Sequence, residues 1–556
     1  MKYIAIIGAG CSGLAAVKAC LDENLAPVCF ERGDDIGGLW NFSETVTNDR
    51  ASIYKNLVIN TSKEMMSFSD FPTPDDFPPF LPHEYVLKYF RLYAARFQLL
   101  AHVRFNAAVL NISKASDYDA TGRWGVTVSV EGAPPFTRVF DGVMVCTGHH
   151  SVPYTPTFRG ADKFKGPVIH SQGYKDSSNF SGKRVLVIGI GNSAADIAVD
   201  LSRAASKVFL STRRGAWIIG KTSIKGIPAD LLANSRFVFS LPLNLLQWVV
   251  EKQANFKVDH DTFGLSPQHG ALEAHPTIND ELPYQLVTGK VSIKPNVTTF
   301  TENGVEFADD TFEDIDAVIY ATGYDYRLDI VDEDVLRIDN NRTHLYQYMF
   351  PTNLTHPTFS VIGLVQPIGA IMPISEMQCR WFTQLVKGEV SLPSKEVMLK
   401  SVSQRFALMN HTYIKSRRHT VQTYWIEYMD NIASKIGVKP NFKRLLFEDP
   451  VLAFKCFFGP CVPAQYRLTG PGKWKGARPI IMDAVARATR GATCRKVCAK
   501  KRPSRKERNS TLMLLLYVFV FFTLVTMWCF DSFMDLSVVD IVSLLQKERV
   551  EHALAR

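Results

Sequence analysis

The chain has 556 residues, enough for about three or four domains or subdomains, and its 46% apolar and 21% charged residues are the mix of a globular protein with ample core. That mix excludes a disordered chain, a collagen-like fibre and a small disulfide scaffold. The net charge of +9 suggests a basic protein, yet eight Lys/Arg and one Glu between Arg495 and Arg508 supply +7 of it. The rest is close to neutral, which argues against a nucleic-acid partner, because binding a phosphate backbone needs positive charge spread over a docking face.

In chain order, the first element is a strand over Lys2–Ile7, too short and too quickly broken for a signal peptide. It runs into Gly8-Ala9-Gly10-Cys11-Ser12-Gly13 and a helix over Leu14–Leu21, and a second strand, Pro27–Phe30, ends on Glu31. Strand, glycine turn and helix in this order bring a pyrophosphate against a helix N-terminus, and an acid at the end of the second strand accepts hydrogen bonds from ribose hydroxyls. The extension through Gly37-Gly38-Leu39-Trp40 is typical of proteins that bind FAD. Gly8, Gly10, Ser12, Gly13, Glu31, Gly38, Leu39 and Trp40 are therefore the candidate FAD contacts.

Residues 71–82 hold five prolines and must be loop or extended chain. Two further strands, Val143–Val145 and Val318–Tyr320, run into Cys146-Thr147-Gly148 and Ala321-Thr322-Gly323, small-residue ends where the chain passes between two nucleotide domains. Between them lies a second fingerprint, Gly189-Ile190-Gly191-Asn192-Ser193-Ala194, after the strand Arg184–Ile188 and before a helix over Ala195–Ala204. The strand that follows, Lys207–Leu210, ends in Ser211-Thr212-Arg213-Arg214 with no acid. A carboxylate there would repel a 2′-phosphate, whereas a guanidinium pairs with it, so this site is expected to take NADPH through Gly189, Gly191, Asn192, Ser193, Ala194, Thr212 and Arg213.

Residues 216–294 read as a helical insertion, and within it Phe237–Val250 is apolar enough for a core helix or a membrane-dipping surface, the core reading being preferred. Residues 444–468 form a second stretch of the same kind. Ten cysteines show neither a CxxC pair nor a zinc spacing, so no metal site is expected. Thr511–Phe530 holds twenty residues without a charge, long enough as a helix for about 30 Å of hydrocarbon, and is expected to cross a membrane. The basic stretch on its N-terminal side should keep the body cytosolic and send residues 531–556 across.

With both fingerprints in view, the chain resembles the flavin-containing monooxygenases. The family's motif stands here as Phe164-Lys-Gly166-Pro-Val-Ile-His170-Ser-Gln-Gly-Tyr174, just before the second fingerprint. The likeness also takes in Tyr54-Lys55-Asn56-Leu57-Val58-Ile59-Asn60-Thr61-Ser62-Lys63-Glu64 and Leu468-Thr469-Gly470-Pro471-Gly472-Lys473-Trp474. It implies an enzyme of the endoplasmic reticulum membrane, C-terminally anchored, that uses FAD, NADPH and O2. A C4a-hydroperoxyflavin would then oxygenate a small-molecule substrate, at soft sulfur or nitrogen or by Baeyer–Villiger insertion into a ketone. The stretch Ala274–Asp280 and the pair His149-His150 look closest to the fifth mammalian isoform, which favours the latter. The resemblance further implies catalytic roles for Asn60, beside the flavin, and Asn192, holding NADP, with Thr61 supporting the flavin, whereas His170 reads as structural. Where the family commonly has Arg and an acidic or polar residue, this chain has Gln172 and Gly173, a departure that bears on NADP retention.

The expected fold is α/β, with two Rossmann-like domains, a helical insertion and a C-terminal transmembrane helix. Residues 1–150 and 330–440 would form the FAD domain, 151–215 and 295–329 the NADPH domain, and 441–510 a membrane-proximal region. Membrane lipid is an expected partner, and a homo-oligomer is left open. The alternatives are an NADPH oxidase that releases H2O2 and a membrane-anchored flavoprotein scaffold. A flavin disulfide reductase would need a cysteine pair near a fingerprint, and Cys456/Cys461 and Cys494/Cys498 lie far from both.

Overall fold

Short apolar strands that alternate with helices pair in parallel, because each helix must carry the chain back across the sheet before the next strand begins. The computed structural model describes residues 1–47, 50–414 and 416–492, and holds two such sheets of five strands each. The first is built on β1 (Tyr3–Ile7), α1 (Cys11–Asp22), β2 (Ala26–Phe30) and β3 (Gly142–Val145). Its strands run in the order Phe359–Val361, β3, β1, β2, Val103–Arg104, all parallel. The second is built on β4 (Arg184–Ile188), α2 (Asn192–Leu201), β5 (Lys207–Ser211) and β6 (Ala317–Tyr320). Its order is Val291–Lys294, β5, β4, β6, Val168–His170, again all parallel.

Both strand–turn–helix units fall where the sequence places them, and α1 and α2 each begin three residues earlier than expected because the last three residues of each fingerprint already belong to the first turn. The chain crosses between the sheets on a short ribbon, in which Val152–Pro153 pairs antiparallel with Tyr324–Asp325 and the Tyr154 N–H donates to the Gly323 carbonyl at 2.9 Å.

The largest core surrounds the first sheet. There α1 packs against α3 (Ile371–Lys387), and the small residues Ala15, Ala16 and Ala19 on α1 are all buried. Burial on both sides forces the charges of α3 to find partners. Glu376 accepts from Arg467 at 2.6 Å, Arg467 also meets Asp70 at 3.0 Å, and Asp70 meets Lys18 at 2.5 Å. Left alone, each of these charges would cost several kcal/mol in the interior.

The insertion departs from expectation. Pro242 splits the apolar run into a helix over Arg236–Ser240 and a longer one over Leu243–Lys257, in which Ala254 is the buried residue. Trp248 is 57% exposed, so the core-helix reading of Phe237–Val250 does not hold. Apolar residues on this helix outnumber what one buried stripe can take, and Val250 and Ala254 alone join a satellite cluster with Trp217 and Ala271. The stretch 444–468 is amphipathic. In helices Phe442–Glu448 and Pro450–Phe458, Leu445, Leu452 and Cys456 are buried while Phe447, Val451 and Phe454 are exposed. The expected membrane span 511–530, the basic stretch 495–508 and the tail 531–556 lie outside the described residues. Among the described residues, no helix is long and apolar enough to cross a membrane.

Candidate functional site

At the first fingerprint the chain turns at Gly8, whose positive φ of 98° a side chain would strain, and its N–H donates to Phe30 at 2.8 Å, binding β1 to β2. Gly13 fixes how closely α1 can sit on that turn, since a Cβ there would lie 1.8 Å from the Gly8 carbonyl oxygen. Gly10 is the N-cap of α1 and supplies no side chain to its first N–H groups, which are left uncapped as an anion cradle. Gly38, in the short turn of helix Gly38–Trp40, faces Gly10 backbone to backbone, and a Cβ on it would come 3.2 Å from the Gly10 Cα. Leu39 and Trp40 follow, half-buried. Glu31 sits at the end of β2 with one carboxylate oxygen held by the Ala9 N–H at 2.7 Å and the other by the Gly33 N–H at 2.8 Å. Fixed in this way, each oxygen keeps a lone pair for a ribose hydroxyl. The cradle, the bare glycine face and the aimed acid together fit a dinucleotide.

One contact at this site has no signal in the local sequence. The Ser12 hydroxyl lies 2.9 Å from that of Ser375 on α3, so the helix that starts at Ile371 shares the mouth of the first fingerprint.

The second fingerprint repeats the plan. Gly189 turns at a φ of 124°, Gly191 caps α2 without a side chain, Ser193 is exposed on the first turn, and Ala194 is fully buried against the strand. The Asn192 Oδ1 accepts from the Ile278 N–H at 2.8 Å, which ties the start of α2 to the insertion. Thr212 is buried, and its hydroxyl accepts from the Gly215 N–H at 3.1 Å, closing the turn after β5. That turn leaves Arg213 exposed at the strand end, where a 2′-phosphate would sit.

Between the two fingerprints runs the segment that carries Asn60. The Asn60 Oδ1 is buried without a hydrogen-bond partner, the kind of group that calls for a ligand to satisfy it. Thr61 lies beside it, half-buried. Upstream, Tyr54 donates to Asp196 at 2.6 Å and the Asn56 amide donates to Asp200 at 2.9 Å, so the segment is latched onto one face of α2. Tyr174 donates to the second oxygen of Asp200 at 2.6 Å, and Asn279 donates to Asp196 at 2.7 Å. Burial raises the Asp196 carboxyl above its ordinary range, against Lys221, Tyr54 and Asn279, which draw it down. Acids four residues apart on a helix are visible in the sequence, but their partners are not.

His170 takes the structural role expected of it. Its Nδ1 accepts from the Gln172 N–H at 3.2 Å, which leaves Nε2–H to donate to the Gly323 carbonyl at 3.1 Å. Burial lowers its basicity, in keeping with that neutral tautomer. The Gln172 side chain donates to the carbonyls of Arg50 and Ser151 at 2.6 and 2.9 Å. The residue that departs from the family pattern therefore cross-links the loop before Asn60 to the interdomain ribbon.

A model of the family described as flavin-binding monooxygenase-like matches residues 1–528. Flavin-containing monooxygenase 5 of Cavia porcellus is 50% identical over 493 residues, which cover 87% of this chain and 92% of that one. Among solved structures, the S-allyl-L-cysteine S-oxygenase of Allium sativum aligns with a TM-score of 0.62 at 23% identity, over 87% of this chain and 98% of its own. OTEMO in complex with FAD and NADP aligns with a TM-score of 0.56 at 17% identity, over 74% and 90%. The last two likenesses are of fold.

Proposed function

The chain belongs to the flavin-binding monooxygenase-like family, and from that premise we propose that it is an NADPH-dependent flavoprotein monooxygenase of small molecules whose reaction site is organised around Asn60. The carrying observation is the buried, partnerless Oδ1 of Asn60 on a segment latched to α2, the helix of the second fingerprint, through Asp196 and Asp200. When bound, FAD and NADPH supply the redox chemistry, in which NADPH, a proton, O2 and substrate give NADP+, oxygenated substrate and water.

The protein's share is positioning and shielding. Gly8, Gly10, Ser12, Gly13, Glu31, Gly38, Leu39 and Trp40 would hold FAD, with Glu31 on the ribose and the first turn of α1 on the pyrophosphate. Gly189, Gly191, Asn192, Ser193 and Ala194 would hold NADP, with Thr212 shaping the turn from which Arg213 reaches the 2′-phosphate. An amide suits the place of Asn60 because it donates and accepts without titrating, so its pattern of contacts is the same at every working pH. Thr61 would support the flavin next to it. The latch of Tyr54 and Asn56 on α2 would keep the Asn60 segment in register with the NADP site.

Soft sulfur or nitrogen and ketones are the two substrate classes to be told apart, and the likeness of Ala274–Asp280 and His149-His150 to the fifth mammalian isoform favours ketones. The test is to follow NADPH consumption with one thioether and one ketone, weighing oxygenated product and H2O2 in each. Product matched to NADPH with one of them supports the monooxygenase and names its class, whereas H2O2 matched to NADPH with both makes the protein an NADPH oxidase.

The body would sit on the cytosolic face of the endoplasmic reticulum, anchored by residues 511–530. Exposed Leu245, Trp248 and Val249 on one helix and Phe447, Val451 and Phe454 on two others support contact with lipid. Phe237, just before the first helix, packs at 5.2 Å on Phe458, at the end of the last. Resistance to carbonate extraction, with protease access to the body of sealed microsomes, checks this placement.

A further inference from the structure

The stretch around Asn60 is fastened on both sides by backbone bonds, the Ile59 N–H to the Leu81 carbonyl at 3.0 Å and the Lys63 N–H to the Pro79 carbonyl at 2.9 Å. Between these, the Ser62 N–H goes to a side chain from the insertion. Asp230, on the helix Ala229–Ala233, accepts it through Oδ2 at 2.7 Å. The other oxygen, Oδ1, is buried without a hydrogen-bond partner, and the Ser62 hydroxyl faces the carboxyl without reaching hydrogen-bond geometry. The helix itself is held in place, since the Ala229 N–H donates to the Lys221 carbonyl at 2.8 Å and the Asn234 amide to the Asp230 carbonyl at 2.9 Å. Asn234 in turn accepts from the Cys461 N–H at 2.7 Å.

A carboxyl is a costly acceptor in such a place. Burial pushes Asp230 up to about 6, and a neutral amide would satisfy the same N–H at a smaller desolvation cost. Buried, perturbed carboxyls cluster where function needs them.

We propose that Asp230 is a positioning residue for the reaction site: through the Ser62 N–H it fixes where the Asn60 carboxamide sits, so that the insertion governs how fully oxygen transfer is coupled to NADPH. This rests on the placement of Asn60 at the flavin. Without that acceptor the Ser62 N–H opens to water, and the loosened stretch lets the carboxamide drift from its post.

The test uses the full-length, FAD-loaded protein at pH 7.5. Asp230→Ala should speed hydrogen exchange at the Ser62 amide about tenfold, the loss of one hydrogen bond to a charged group. It should also at least double the H2O2 released per NADPH. Asp230→Asn, which keeps an oxygen acceptor, should bring both back to within about twofold of the parent. Should Asp230→Ala fail to hold FAD, Ser62→Pro removes the N–H from the other side. Ser62 has a φ of −65°, which proline adopts, and the same rise in H2O2 is expected.

Unchanged exchange at Ser62 in Asp230→Ala overturns the proposal, as does faster exchange with the parent's H2O2 yield. Asn60→Ala, run alongside, separates the two levels. If it raises H2O2 and Asp230→Ala does not, Asp230 alone is misassigned. If Asn60→Ala changes neither H2O2 yield nor NADP+ affinity, the reaction site lies elsewhere and the proposal falls with it.

Discussion

Arg213 is exposed at the end of β5, while Thr212 beside it is buried and tied to its own turn. Recognition of a 2′-phosphate at this corner should therefore fall to the arginine. Arg213→Ala is expected to raise the KM for NADPH about tenfold and leave that for NADH unchanged, which steady-state kinetics with both nucleotides would show. Asp230 makes a prediction of opposite kind. Its carboxyl titrates higher in the folded protein than in the unfolded chain, at about 6. Its contribution to stability is thus complete below the ordinary carboxylate range and is lost as pH rises through about 6. Asp230→Asn removes that dependence, so its melting temperature relative to the parent should climb between pH 4.5 and 7.5, as scanning fluorimetry would report. The glycines, Glu31 and Arg213 were legible in the sequence because turn chemistry and strand-end charge are local. Asp230 and Ser375 were not, since each meets its partner across more than a hundred residues with no motif to mark it.

At the scale of elements, α2 does two jobs. Its first turn leaves N–H groups uncapped by any side chain, where NADP is proposed to bind, and its body carries Asp196 and Asp200, which receive Tyr54, Asn56, Tyr174 and Asn279. The helix is therefore the part on which the Asn60 segment, the family motif and the insertion converge. Tyr54→Phe combined with Asn56→Ala leaves the FAD cradle intact and cuts two of these ties. The expected result is a several-fold weaker Kd for NADP+ at unchanged FAD content, measured by flavin absorbance. The strand–turn–helix order that located α2 has no counterpart at the helix Leu243–Lys257. Apolar content alone implied burial there, but a helix is buried by what packs against it, and the satellite cluster around Trp217 covers one end only.

Over the whole molecule, the last helix among the described residues, Ala477–Arg490, returns to the N-terminal part of the chain. Arg487 meets Glu64 at 3.3 Å and donates to the Thr73 carbonyl at 2.8 Å, clasping the proline-rich loop that follows Asn60. Burial raises Glu64, and Arg487 is the chief group that counters it. Arg487→Ala strands a buried acid, at a cost of about 3 kcal/mol, and a drop of roughly 5 °C in Tm is expected by calorimetry. The exposed apolar helices carry a second expectation at this scale. Trp248→Ser with Phe447→Ser should lower binding to phosphatidylcholine vesicles without altering FAD content, since both side chains are mostly exposed.

The first sheet also imposes an order on biosynthesis. The strand β3 finds one neighbour in β1, but its other neighbour, Phe359–Val361, leaves the ribosome some 200 residues later, after the entire second sheet. At roughly 5–20 residues per second, the nascent chain must hold that bare apolar edge for on the order of 10–40 seconds. During this interval the second sheet can close on its own, whereas the first is an open template for other chains. Chaperone dependence and aggregation of variants should therefore map to residues that complete the first sheet late, around Phe359 and α3, more than to those that build the second.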